Sequence, residues 1–113
     1  MFGKWRKNET KYDLPSGIVD EVRGICRDYE RKRRALINGV DNEDVRCVYE
    51  KYNRAVNDAM LSIEEGLRLI ILEDIINSRG YERSSASLMI AHNGYAQRKR
   101  KLIYKIAENL HFV

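Results

Sequence analysis

The chain has 113 residues, 43% of them hydrophobic and 34% charged, with a single proline. That leaves room for one domain with one core, excludes intrinsic disorder, which goes with fewer apolar residues, and suits long amphipathic helices. No run approaches the ~18 uninterrupted apolar residues of a membrane span, and MFGKWRKNETKYDLP lacks the apolar core of a secretory signal, so a cytoplasmic protein with no membrane partner is expected.

The net charge is +4, and its placement is informative. Residues 79–113 carry Arg79, Arg83, Arg98, Lys99, Arg100, Lys101 and Lys105 against Glu82 and Glu108, a balance of +5, so the remaining 78 residues sum to −1. Such asymmetry within one domain points to a surface that faces a polyanion. Cys26 and Cys47 belong to no CxxC pair, and His92 and His111 do not complete the short paired spacing of a zinc site. No metal and no cofactor are expected, and the cysteines read as small hydrophobes within helical patterns.

In chain order, residues 1–14 read as an arm that could dock through Trp5 and Tyr12, kept soluble by Lys4, Arg6 and Lys7. Pro15 suits a helix start. Ile18, Val22, Ile25, Tyr29 and Leu36, with Cys26 and Ile37 beside them, form a helical stripe that Asn38-Gly39 stops. Arg31-Lys32-Arg33-Arg34 is then expected at a helix C-terminus, where cations suit the dipole. Asp41 or Asn42 caps the next helix, whose stripe runs Val45, Val48, Tyr49, Tyr52, Ala55, Val56, Ala59, Met60 and Ile63. Two long helices joined by a short turn predict an antiparallel hairpin over 15–63. Ser62 and Glu65 resemble a capping box. The helix that follows, through Leu67, Ile70, Ile71, Ile75 and Ile76 to Arg79-Gly80, is apolar nearly all round at Leu69-Ile70-Ile71-Leu72, and is predicted to be the central one. After YERSS comes a short helix in ASLMIA that His92 ends and Asn93-Gly94 breaks, then one terminal helix over 95–113. Strand-like alternation is absent. The expected fold is all-α: one helical domain over 1–113, made of the arm, a long antiparallel hairpin, and a 64–113 region with the central helix and a C-terminal helix-turn-helix.

A short helix, a glycine turn and a longer basic helix outline a helix-turn-helix. At 100° per residue, Leu102, Ile103, Ile106, Ala107 and Leu110 gather on one face of the terminal helix, with Tyr95 on the same side. Gln97, Lys101, Tyr104, Lys105 and Glu108 lie opposite, with Arg98 and Arg100 at the margins. Arginine and lysine can hold phosphates or guanine, and glutamine can pair with adenine. Ser84, Ser85 and the amides beside them suit a phosphate. The candidate DNA contacts are therefore Ser84, Ser85, Tyr95, Gln97, Arg98, Arg100, Lys101, Tyr104 and Lys105. Catalysis finds no support: no nucleophile elbow, phosphate loop or HExxH is present, and Glu64-Glu65 and Glu73-Asp74 are adjacent pairs that diverge on a helix.

The segment IAHNGYAQRKRKLIYKIAENLHFV resembles the end of small phage transcription regulators of the RinA and ArpU kind. The likeness rests on Ile90-Ala91, Tyr95, Arg98-Lys99-Arg100 and the ending Ile106-Ala107-Glu108-x-Leu110, and covers roughly the last 45 residues. It departs from them at Asn93-Gly94, where those proteins often carry a more helical residue, and at His111, where glycine is common. The resemblance implies a helix-turn-helix similar to that of sigma factors, and a regulator of phage or prophage origin acting on double-stranded DNA beside RNA polymerase. A lone helix-turn-helix needs a second copy or a polymerase partner for adequate affinity, and the 18–63 hairpin is the candidate for that contact. Two other classes fit the same composition: a helical adaptor or inhibitor whose basic face meets an acidic protein, and a phage DNA-packaging recognition subunit.

Overall fold

A computed structural model describes residues 12–113. Trp5, Lys4, Arg6 and Lys7 of the arm lie outside the described residues. The described chain is helical throughout, with no strand. Its elements are α1 (Ser16–Arg27), α2 (Tyr29–Asn38), α3 (Glu43–Met60), α4 (Glu65–Ile76), two 3-10 turns (Tyr81–Arg83 and Ser85–Leu88) and α5 (His92–Asn109). No helix among these residues is long and apolar enough to cross a membrane.

Several boundaries follow local chemistry. The carbonyl of Pro15 accepts the amides of Ile18 and Val19, which starts α1. Gly39, at φ 97°, ends α2 in a conformation that glycine adopts without penalty. The Asn42 carboxamide accepts the Val45 amide at 3.0 Å and opens α3.

Other boundaries differ from expectation. The first helix is divided at Asp28, whose carboxylate holds Arg31 and Lys32 from the following turn. The run 31–34 therefore sits in the first turns of α2 rather than at a helix C-terminus, where the dipole would favour cations. Asp28 and Glu30 offset the misplaced charge, Glu30 pairing with Arg33 and Arg34. The Ser62 capping box does not form: its hydroxyl donates to Ala59 O at 2.7 Å, and Glu64 precedes α4. Helix α4 stops before Arg79-Gly80, because Ser78 takes φ 53° and the amides of Ser78 and Arg79 close back on Ile75 and Asp74. The same closure ends α5, with His111 at φ 61° and the amides of His111 and Phe112 on Glu108 and Ala107. Both are Schellman caps built without glycine.

At the C-terminal end the short helix is two 3-10 turns, and α5 begins at His92, three residues earlier than expected. Asn93 and Gly94 occupy its first turn, where amides have no intrahelical partner to lose, while Tyr95 N bonds Ala91 O at 3.0 Å. The helix break falls instead at Met89–Ala91, and His92 begins a helix rather than ending one.

The core joins Val22 and Cys26 of α1, Val56 and Ala59 of α3, Ile71 and Ile75 of α4, and Leu102 and Ile106 of α5. Helix α5 touches α1, α3, α4 and both 3-10 turns, and so holds the centre that the sequence pattern assigns to α4. Helix α4 is buried along Leu67, Ile71 and Ile75 but leaves Leu69 exposed. Helices α2 and α3 run antiparallel: Tyr29 bonds Asn57, Arg31 bonds Tyr49, and Lys32 lies over the Tyr52 ring. At the far end of this pair Ile37, Val45 and Val48 are exposed. Cys26 is buried, and Cys47, on the outer part of α3, is exposed.

Candidate nucleic-acid interface

The packing on three sides of α5 decides which of its polar residues reach solvent. Residues 93, 97, 100 and 104 fall within about 60° of one another at 100° per residue. Asn93, Gln97 and Arg100 are exposed, and Tyr104 is half-buried with its ring 5.5 Å from that of Tyr12. The open strip is therefore turned by about half a helix face from the Gln97–Lys101–Lys105 line that the sequence marks. Lys101 and Lys105 lie half-buried at its edge, and Lys105 pairs with Glu108 at 3.2 Å. Asn93 is the residue that sequence reasoning misses. The pattern puts it in a turn, yet one helical turn before Gln97 it brings a second carboxamide to the same strip.

Arg98 is drawn aside. Its guanidinium meets the Glu64 carboxylate at 2.6 Å and donates to Gly94 O at 3.0 Å. The hydrogen bond from Arg98 to Glu64, with the charge of Arg98 and Lys101, holds the Glu64 carboxyl below its ordinary range. Ser62, Glu64, Gln97, Arg98 and Lys101 border a groove of about 200 Å³, so the basic edge carries an acidic residue from the start of α4.

The remaining candidates sit further in. The Ser84 side chain is buried and accepts the Ala86 amide at 3.0 Å, so it caps its own turn; Ser85 beside it is exposed. Tyr95 is 3% exposed and anchors a polar cluster at the heart of the molecule. Its hydroxyl lies 2.8 Å from the fully buried Asp74 carboxylate and 3.2 Å from Arg79 O, and Arg79 pairs with Asp74 at 3.2 Å. Burial, and then the neighbouring Asp74, push the Tyr95 hydroxyl up to about 12. Lys99 joins from the next turn, donating to Arg79 O at 2.7 Å, and its burial lowers its pKa.

Gln97, Arg100, Lys101 and Tyr104 thus share one side of α5 with Asn93, while Arg98, Lys105, Ser84 and Tyr95 are engaged within the protein. Among the described residues no cluster of three or more histidine, cysteine or acidic side chains could hold a metal ion. No known protein family, curated protein or solved structure matches the chain.

Proposed function

We propose that this protein is a DNA-binding transcriptional regulator of phage or prophage origin that sets the N-terminal half of α5 into the major groove. The observation that carries the reading is the open strip Asn93–Gln97–Arg100–Tyr104 on a helix braced from behind by α1, α3 and α4. Two carboxamides one turn apart suit adenine edges, and Arg100, with Lys101 at the edge, suits phosphate or guanine. The Ser85–Leu88 turn and the bend at Met89–Ala91 then serve as the first half of a helix-turn-helix. The RinA and ArpU resemblance of the same segment supports this, and implies RNA polymerase as a neighbour. The exposed Ile37, Val45 and Val48 at the α2–α3 end would supply the second contact, to another copy or to polymerase.

DNA titration at several salt concentrations tests it. Arg100→Ala and Lys101→Ala should each lower the slope of log affinity against log salt by about 0.9 for every phosphate the side chain holds. Gln97→Ala and Asn93→Ala should instead cost about 1–3 kcal/mol on a preferred site and relax specificity there. Arg31→Ala with Arg33→Ala is the control and should change nothing. Undetectable binding to any duplex at low salt would overturn the proposal. It would favour the second reading, a helical adaptor for an acidic protein, which the mixed charge of the Glu64–Arg98–Lys101 groove independently suits.

A further inference from the structure

The side of α5 next to the open strip carries a second feature, which meets that strip at Arg100. Helix α5, α1, the Tyr81–Arg83 turn and residues 12–14 enclose a cleft of about 400 Å³. Its walls are apolar and aromatic, formed by Leu14, Val19, Ile103 and the rings of Tyr81 and Tyr95, which meet edge to face at 5.4 Å. Arg23 and Lys99 line it, with Arg100 beside them.

The charges in this cleft are unbalanced. Arg23 Nε is buried and has no hydrogen-bond partner. Among the described residues no carboxylate forms an ion pair with Arg23, Lys99 or Arg100. Arg23 is near enough to Lys99 to disfavour its charge, while Asp74 favours it. Asp13 lines the cleft too but is itself exposed, and Asp74, behind Tyr95, already accepts from Tyr95 and Arg79. Two cations held against apolar walls with no carboxylate in direct ion pairing are costly. An oxyanion between them would remove the repulsion and take up the idle Arg23 donor, and the aromatic walls would receive a flat apolar body.

We propose that this cleft is a binding site for a small amphipathic anion, a flat apolar molecule carrying one oxyanion that lies between Arg23 and Lys99. The site shares Arg100 with the proposed DNA-reading strip but is carried by Arg23 and Lys99, which lie outside that strip.

Fluorescence titration of the full chain with anilinonaphthalene sulfonate, beside its neutral twin phenylnaphthylamine, tests the site. The sulfonate should bind once per chain, and the neutral twin about ten-fold more weakly, the scale of a charge-assisted contact. Arg23→Gln should remove that preference while leaving the neutral dye's affinity unchanged, and Lys101→Gln should alter neither. Amide shifts of the unmodified protein with the sulfonate should centre on Val19, Ala96 and Ile103, a readout that holds even if Arg23→Gln does not fold. Equal affinity for the two dyes, or shifts centred on the exposed Ile37 and Val48, would overturn the proposal.

Discussion

The two ends of α3 carry the same apolar stripe into different surroundings. Ala55, Val56 and Ala59 are buried against the core, whereas Val45 and Val48, about three and two turns earlier on that stripe, are exposed, as is Ile37 on the neighbouring helix. The inner end is held by side-chain packing, and the outer end by ion pairs such as Arg46–Glu43 and Arg46–Glu50, in which both partners are well exposed. Such pairs contribute about 0–1 kcal/mol each. A stripe at helical spacing records which face is apolar; it does not record that anything covers it.

Core truncation should separate the two regions most sharply. Ile106→Ala, at a fully buried position, should destabilise by about 2–5 kcal/mol in denaturant unfolding, and Val48→Ala by no more than about 0.5 kcal/mol. A Val48→Ala loss that approaches the Ile106→Ala loss and grows with protein concentration would mean that the outer end is covered by another copy.

A smaller effect, of opposite sign, is expected at the helix ends around the core. Ser78→Gly and His111→Gly should each stabilise by about 0.5–1 kcal/mol, because glycine relieves the left-handed φ at both caps and that gain exceeds the extra freedom it gives the unfolded chain. Thermal melting checks this, and a destabilised His111→Gly would show that the imidazole has contacts outweighing the backbone strain.

The smallest effect belongs to the start of α2 and to acid. The Arg31 guanidinium beside Asp28 holds its carboxyl at about 2, and Arg33 does the same for Glu30. Depressed carboxyls contribute stability that is fully present above their unfolded values of 3.8 and 4.5 and is lost as pH falls toward 2. Amide spectra should therefore show α2 loosening between about pH 4 and 2 while Leu102 and Ile106 stay protected. Asp28→Asn should remove part of that pH dependence, and loosening of the core at the same pH would erase the contrast.

The all-helical class was legible because every stripe has helical spacing, but the ends of the helices were not. Asn-Gly occurs twice: at 38–39 it stops a helix with φ 97°, and at 93–94 it lies inside one. Nothing in the dipeptide distinguishes them. What does is Tyr95, whose hydroxyl reaches Asp74 across 21 residues and fixes the register of α5. The candidate site was legible as a cluster of basic residues on one helix. Its orientation was not, because it depends on Glu64, 34 residues from Arg98, and on neighbours that cover α5 from behind.

The contrast between the inner and outer parts of the chain also governs its thiols. Burial pushes Cys26 up to about 12, whereas Cys47 stands exposed on the outer part of α3. Since the thiolate is the species that reacts, the folded protein has in effect one alkylatable sulfur at neutral pH. A maleimide dye or nitroxide can thus be placed between Val45 and Val48 of the native sequence with no residue removed, and labelling at Cys26 becomes a clock for opening of the core.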